Sequence, residues 1–503
     1  MGARPKLLGI SASLRNARWG VGNEDLVNSL GGLSNEEELF AFLRRESELH
    51  LENFVEAGRK DGKSFLEIYE NLQRNKGDKG LCNSEVALAS ALWSALSYDV
   101  DIEHVSLSEY FRASGAIRNE DRLKQKLLES DGLLVSGPVY FGDRSSLVQS
   151  LLDMIRRDDV LRSRLQGKLY GGIAVGAKRN GGQETTLIYQ MLDFVNLGYW
   201  AVGNDSDTTA QYGGTGHAGD VGTMHKDSYG LRTSMGTGRR IASLLRELGA
   251  RREIHGPVKV LFVVLQDRQG EAQGRLTDML CAFPREVQAT VINVSEKRIA
   301  PCIACDICPT HIDVDDVYRC IITAKHDNLQ HLHKELLHHD AIVPVIFSAK
   351  DTHQISNNYQ TFMERTRYLR RGDYVFSNQL VAPLIFEEIG GGENYALRAM
   401  TSMVRHHTVI SQPMIGYIHG GQLLNGAKVM EQMKLFLASV RRLAAARLAE
   451  VFEKENTKYK PVGYVLAADK EAEDARLNSR QDMVKSRYQR MMDEAKERLT
   501  ADN

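Results

Sequence analysis

Short apolar runs alternate along the chain with stretches whose apolar residues recur every three or four positions. Residues 6–12 (KLLGISA), 132–136 (GLLVS) and 169–175 (LYGGIAV) have the length and continuous hydrophobicity of strands buried on both faces, with shorter strands expected at 100–105 and 199–203. Between them the period predicts helices over 83–98, where Asn83 or Ser84 is placed to cap, and over 121–130, 145–157, 183–195 and 231–250. After residue 257 the alternation starts again. Strands are expected at 258–265 (VKVLFVVL), 289–294, 341–347 (AIVPVIF), 380–386 and 413–418, and helices at 271–282, 324–338, 356–369 and 392–405. The fold class this predicts is α/β, two tandem doubly wound parallel sheets over 1–252 and 257–421. Residues 422–503 read as a charged helical extension, either an association element or a solvated helix.

One segment breaks the pattern. Residues 16–82 separate the first strand from the helix that should follow it, and NEEELFAFLRRESELHLENFVEAG and SFLEIYENLQRN within them predict two amphipathic helices. With that insertion removed the chain reads GISASLR…NSEVALASALWSAL, a strand, a serine-rich turn, an arginine and a helix. Helix N-terminal amides with the hydroxyls of Ser11, Ser13 and Ser84 suit a phosphate dianion, and Arg15 adds a charge-assisted partner. Two further loops leave the same sheet edge: Pro138-Val139-Tyr140-Phe141-Gly142 and Gly181-Gly182-Gln183-Glu184. That edge is where open α/β sheets bind ligands.

At 503 residues the chain exceeds one ordinary core, in keeping with two copies. A net charge of −1 gives no reason to expect nucleic acid or an anionic membrane as partner. No apolar run reaches the roughly 18 residues of a membrane span. The first residues lack a basic region leading into a long apolar segment, so a cytoplasmic protein without a signal peptide is expected.

Together these motifs resemble the NADPH-dependent FMN reductase family of flavodoxin-like proteins, over most of residues 6–250 outside the insertion. The carriers are GISASLR, NSEVALASALWSAL, SGPVYFGDRSSLVQSLLD, GGQETTL and YGGTGHAGDVGTMHKDSYGLRTSMGTGRRIA. The resemblance implies that Ser11, Ser13, Leu14, Arg15, Asn83 and Ser84 form the FMN phosphate site. It places Pro138, Val139, Tyr140, Phe141 and Gly142 along the isoalloxazine ring, and Gly181, Gly182, Gln183 and Glu184 beside its pyrimidine end. Ala12 stands where the family usually has glycine. The implied activity is NAD(P)H oxidation through FMN, with electrons passed to a small acceptor such as a quinone, azo or nitro compound, in general use or in a specialised biosynthetic step. Tyr140 and Phe141 are candidate ring or substrate contacts, or else anchors of their own loop. The insertion is expected to cap the flavin and narrow substrate choice, or to serve as an interface. A homo-oligomer or an internal pseudo-dimer is expected, and a non-catalytic flavin-binding scaffold is the alternative to an enzyme.

Four of the six cysteines fall in RIAPCIACDICPTHIDVDDVYRC: Cys302, Cys305, Cys308 and Cys320. Three thiols at two-residue separations with a fourth further on suit a [4Fe-4S] cluster, while four-thiolate zinc and free thiols stay open. The segment resembles that of the iron-sulfur flavoproteins, relatives of the same family, although the gap from Cys308 to Cys320 is longer than theirs; the resemblance implies an electron relay as the rival function. In the second copy the matching phosphate loop, VVLQDRQGEAQGRL, lacks serines and sets Asp267 and Glu271 where a dianion would bind, so a degenerate domain is expected. His331, His333, His338 and His339 read as solvated surface residues, His311 as a loop residue, and His406-His407 as a loop pair of undetermined role.

Overall fold

The computed structural model describes residues 4–16, 18–59, 61–74, 78–205, 208, 210–249, 252–305, 308, 318, 320–323, 326–371, 374–453 and 470–499. The chain packs as two compact units, 1–249 and 250–503.

In the first unit β1 (Lys6–Ser11) lies parallel between β2 (Asp101–Ser106) and β3 (Gly132–Pro138). Next to β3 comes β4 (Leu169–Gly176), whose far side is shared by β5 (Trp200–Ala201) and β6 (Gly214–His217). The spatial order β2-β1-β3-β4-β5 is that of flavodoxin-like sheets, with the switch point between β1 and β3. Every residue of β4 is buried, as expected of a strand covered on both faces. The helix Asn83–Ala95 packs against the helix Ser228–Gly249 so closely that a Cβ on Gly238 would come within 2.0 Å of the Ala91 carbonyl oxygen.

The insertion forms three helices rather than two: Val21–Gly31, Glu36–Phe54 and Phe65–Arg74. The first escaped the sequence pattern because it buries only Asn23, Leu26 and Leu30, and one of these is polar. Phe54, Ala57, Ile68 and Leu72 build a small core of their own, which also takes in Val221 from the loop after β6. Gly80 returns the chain at φ +61, where a Cβ would lie 2.4 Å from the Glu46 carbonyl oxygen and the His50 amide nitrogen.

The second unit repeats the order. Strand β7 (Val258–Arg268) lies between β8 (Val287–Asn293) and β9 (Ala341–Ser348), and β10 (Ile355–Asn357) folds back antiparallel on the end of β7. The strand next to β9 is split into β11 (Leu380–Val381) and β12 (Leu384–Glu388), and the outer one into β13 (Val409–Ile410) and β14 (Met414–His419), which carries β15 (Gln422–Leu423). Pro383 and Pro413 sit in the two breaks, where a missing N–H does no harm to a ladder.

Three expectations need correction here. The helix expected over 324–338 is a four-residue turn, Leu329–Leu332, and a 3₁₀ turn, Lys334–Leu336, because the buried Asp327 is engaged with Arg365 (2.6 Å) and His338 adopts φ 66. His333 and His339 are buried, not solvated: they bond the Tyr368 hydroxyl (2.8 Å) and Thr290 Oγ1 (3.0 Å). His331 and His338 are exposed as expected, His406 is buried against Thr366 Oγ1 (3.2 Å), His407 stacks on Tyr374 at 3.7 Å, and His311 lies outside the described residues. Finally, the helices Gly426–Glu453 and Lys470–Leu499 are not a solvated extension. The first buries Val429, Met433, Phe436 and Val440, and both send arginines to one carboxylate, that of Asp340 at the start of β9.

Candidate functional site

The loop after β1 is tied to the loop after β3 and to the helix Asn83–Ala95 by a chain of short bonds. The Ala12 amide donates to the Ser136 carbonyl (2.8 Å), Ser145 Oγ donates to the Ala12 carbonyl (2.9 Å), and Ser136 Oγ donates to the Ser84 carbonyl (2.7 Å). Ser11, Ser13 and Ser84 are buried together around Cys82, the N-cap residue, whose sulfur lies 4.0 Å from Ser11 Oγ. Burial pushes the Cys82 thiol far up, so it stays neutral. A capping box joins Cys82 and Glu85, leaving the amides of Asn83 and Ser84 without an intrahelical acceptor beside the buried serines. A dianion fits there. Ser13 Oγ already accepts the Arg15 amide (3.3 Å), while the exposed Arg15 guanidinium lies over the Phe54 ring, 5.5 Å from its centroid.

Two residues predicted at this site are used otherwise. Asn83 spends its side chain on the loop after β6: its Nδ2 donates to the Asp220 carbonyl (2.8 Å), and its Oδ1 accepts the amides of Thr223 and Met224 (3.1 and 3.2 Å). Leu14 lines a cavity of about 850 Å³ with Phe111, Arg112, Leu147 and Met154.

The loops after β3 and β4 meet at one sheet edge. Val139 bonds the Val175 carbonyl (3.0 Å), and Tyr140 and Asp143 exchange backbone hydrogen bonds of 2.9 Å around a turn with positive φ at Phe141 (53°) and Gly142 (76°). That is the signature of a type I′ hairpin turn. Phe141 is fully exposed at its tip, in a conformation costing a non-glycine residue about 1 kcal/mol, and Tyr140 beside it is 56% exposed. Pro138 ends β3, half-buried. A Cβ on Gly182 would sit 2.7 Å from the Gly142 Cα, so glycine there lets the two loops touch, while one on Gly181 would sit 2.8 Å from the carbonyl oxygen of Lys178 in its own loop. Gln183 is buried. Its Nε2 bonds the carbonyls of Lys178 (2.8 Å) and Gly216 (3.0 Å), leaving Oε1 buried without a partner, whereas Glu184 is exposed. An orphaned acceptor beside two touching loops fits a ligand edge that donates hydrogen bonds, as the pyrimidine end of a flavin does.

Sequence reasoning missed the polar layer beneath the phosphate loop, where the insertion docks. Arg18 is buried and pairs with Glu46 (2.8 Å) and Asp78 (3.3 Å), Asn16 Nδ2 donates to Ser106 Oγ (2.6 Å), and the Trp19 indole donates to Ser108 Oγ (3.1 Å). Burial raises the Glu46 carboxyl, against the pull of Arg18. All these contacts fall beneath the serine loop and on the β2 side. Tyr140 and Phe141 at the ring end remain exposed.

The second unit fills its own version of the site. The Asp267 carboxylate accepts the amides of Ala272 (2.8 Å) and Gln273 (3.4 Å) at the N-terminus of the helix Glu271–Leu280, together with the Arg268 amide (2.8 Å). Arg268 is in turn held by Glu271 (2.9 Å) and Glu388 (2.7 Å) and lies 4.4 Å over the Phe347 ring. Ser348 to Gln354 and Gly390 to Gly392 border it without a type I′ tip.

Cys308 and Cys320 are buried, Cys302 and Cys305 half-buried, and among the described residues none is in a disulfide. Arg365 clasps both ends of their segment, bonding the Ala300 carbonyl (2.8 Å) and the Tyr318 hydroxyl besides Asp327. Among the described residues no group of three or more His, Cys, Asp or Glu side chains is arranged to hold a metal ion. Among them too, no helix is long and apolar enough to cross a membrane.

With the three loops placed, known proteins can be compared. Residues 83–207 match the model of the NADPH-dependent FMN reductase family. The matched segment spans the helix Asn83–Ala95, the loops at 138–142 and 181–184 and the strands between them. An iron-sulfur flavoprotein of Methanocaldococcus jannaschii is 39% identical over 132 residues, which cover 26% of this chain and 66% of that protein. One from Methanosarcina thermophila is 26% identical over 189 residues, 34% of this chain and 92% of that protein. The chain thus spans just under two thirds of the first relative and nearly all of the second. Among solved structures, a WrbA-like flavodoxin from Agrobacterium tumefaciens shares 14% identity over 48% of this chain and 98% of its own, with a TM-score of 0.25.

Proposed function

We propose that the first unit is an FMN-dependent oxidoreductase that takes electrons from NAD(P)H and passes them to a small organic acceptor. The observation that carries this reading is the convergence of the serine loop, the helix Asn83–Ala95 and the touching loops at Gly142 and Gly182 around one sheet edge inside the FMN reductase segment. FMN supplies hydride acceptance and onward electron transfer when bound. The protein holds its phosphate on the hydroxyls of Ser11, Ser13 and Ser84 and the first-turn amides, with Arg15 on the outside. Gln183 Oε1 accepts from the flavin edge, and Tyr140 and Phe141 form the wall that an acceptor meets.

The second unit is a copy whose phosphate site is satisfied by Asp267, so one FMN per chain is expected. Purified protein should show flavin absorption with about one FMN released per polypeptide, and it should oxidise NADPH or NADH when given a quinone or nitroaromatic. Protein with no flavin capacity, or with two FMN per chain, would overturn the assignment. The relatives' names favour one further reading, an iron–sulfur relay through Cys302, Cys305, Cys308 and Cys320. Iron and acid-labile sulfide in anaerobically purified protein decide between it and free thiols.

Phe141→Gly tests the wall. It should raise stability by about 1 kcal/mol by relieving the positive φ and raise the acceptor KM several-fold, with the rate of flavin reduction by NADPH unchanged. An unaltered acceptor KM would reduce Phe141 to a loop tip.

A further inference from the structure

Two buried atoms beneath the phosphate loop face each other with no hydrogen bond. His104 Nε2, on β2, lies 3.5 Å from Glu85 Oε1 in the first turn of the helix Asn83–Ala95, and among the described residues neither atom has a hydrogen-bond partner. Both side chains are almost wholly buried, at 0% and 1% exposure. The rest of the network fixes which hydrogens are present. Asn23, from the insertion, accepts through Oδ1 from Ser106 Oγ (3.4 Å) and donates through Nδ2 to Glu109 (3.4 Å). The same oxygen lies 2.8 Å from His104 Nδ1, so Nδ1 carries the hydrogen. A neutral imidazole then points a bare lone pair at Glu85. An ionised Glu85 would answer with another, two buried acceptors facing each other at a cost of kilocalories. A single added proton resolves the contact, either as a carboxylic acid donating to Nε2 or as imidazolium against carboxylate.

We propose that Glu85 and His104 are positioning residues that together hold one proton beneath the phosphate loop, and that this proton, fixed in place by the insertion, sets the affinity of the first unit for a phosphorylated flavin. The inference rests on the FMN reading of that loop. With the proton the pair is neutral. Without it, the pair places a buried negative charge in the first turn of the helix that would hold the dianion, where like charges repel strongly because little water screens them.

Against burial, the Glu85 carboxyl is acted on by Arg18, the Cys82 amide and thiol and the Asn16 side chain, which favour its ionised form. Glu85 Oε2 accepts the Cys82 amide (3.1 Å), and the Cys82 thiol stays neutral. From the insertion come the Arg18 guanidinium, shared with Glu46 and Asp78, and the buried His50, held neutral because burial lowers it to about 4. From the one-turn helix Leu107–Tyr110 after β2 comes Glu109, which bonds Asn23 and has Arg122 at 3.8 Å. Burial pushes the Glu85 carboxyl up to about 7, against the pull of Arg18, and burial with Arg18 pushes His104 down to about 3. The proton therefore resides on Glu85 and leaves it as pH rises above neutrality.

The sign separates this effect from titration of the ligand. A phosphate monoester gains its second charge near pH 6, which can only strengthen FMN binding as pH rises. Loss of the Glu85 proton weakens it. Full-length protein freed of flavin is titrated with FMN and with riboflavin by fluorescence quenching between pH 6 and 9. FMN affinity of the wild type should fall about tenfold from pH 7 to 8.5, by the linkage of one proton, while riboflavin affinity stays flat. Glu85→Gln presents an amide donor to His104 Nε2 without a charge, so its FMN affinity at pH 8.5 should match that at pH 7. Parallel FMN curves for wild type and variant, or the same fall with riboflavin, would overturn the proposal while leaving the flavin site standing. Failure of the wild type to bind FMN at any pH would remove both.

A second readout does not depend on the variant folding. In long-range ¹H–¹⁵N spectra of the wild type, His104 should keep its Nδ1–H tautomer from pH 6 to 9, and its Nε2 resonance should shift with the titration of Glu85. A protonated Nε2 and bare Nδ1 would contradict the assignment.

Discussion

Ser13→Asp should yield a folded protein that binds FMN at least about 100-fold more weakly than the wild type. The substitution places in the first unit what the second unit already has. There, Asp267 takes the helix amides and the amide of the following residue, much as Ser13 Oγ takes that of Arg15. Two unit charges 4 Å apart in a partly screened site repel by about 4 kcal/mol, and the new carboxylate would compete for the donors that the phosphate needs. A carboxylate at a helix N-terminus favours the fold itself, so thermal unfolding should change little while flavin is lost. Retention of FMN with wild-type affinity would mean that the phosphate lies elsewhere. The reciprocal change, Asp267→Ser, would not be expected to create a second flavin site, because Arg268, Glu271 and Glu388 still fill the space.

The second large effect lies in the other unit. Asp340 is buried and accepts two bonds of 2.9 Å from Arg498, one of 3.2 Å from Arg447 and the Lys259 amide at 2.9 Å. Asp340→Ala should cost about 3–5 kcal/mol, since it leaves two arginines without their shared carboxylate. Burial alone would raise the carboxyl, but the hydrogen bonds from Arg498 and the charges of Arg447 and Arg498 outweigh it and hold it below the ordinary value of 3.8. A depressed carboxyl stabilises the fold fully above that value, and the contribution is lost as pH falls through the lower, folded-state one. Denaturant melts between pH 2 and 6 should thus show an acid-dependent loss in the wild type that Asp340→Asn lacks. Equal slopes in both proteins would assign the acid sensitivity to other groups.

Much of this was legible in the sequence. Strands buried on both faces announce themselves as apolar runs, so β1, β3, β4, β7 and β9 were found nearly to the residue. The ring-side loops could be placed because glycines and a serine-rich turn mark sheet ends. Legibility failed where a residue's partner lies far along the chain. Asn83 looks like a phosphate ligand until the loop at 220–224 claims it. His333 and His339 look like surface residues in a charged stretch, but Tyr368 and Thr290 bury them. Glu85 and His104 carried no signal of their own. They matter because Asn16, Arg18 and Asn23, inside a segment read as a flavin cap, an interface or decoration, reach beneath the loop. The described contacts of that segment lie beneath the serine loop and on the β2 side.

The return of the chain at Gly80 also bears on the order of folding. The two halves of the phosphate site are separated by the whole insertion, and closing so long a flexible loop costs roughly 2 kcal/mol more than closing a four-residue one. The small core of Phe54, Ala57, Ile68 and Leu72 gives the insertion a way to condense before that closure, and Val221 joins it only when the last third of the first unit is in place. Assembly of the cofactor site is then a late event, completed after the scaffold that brackets it.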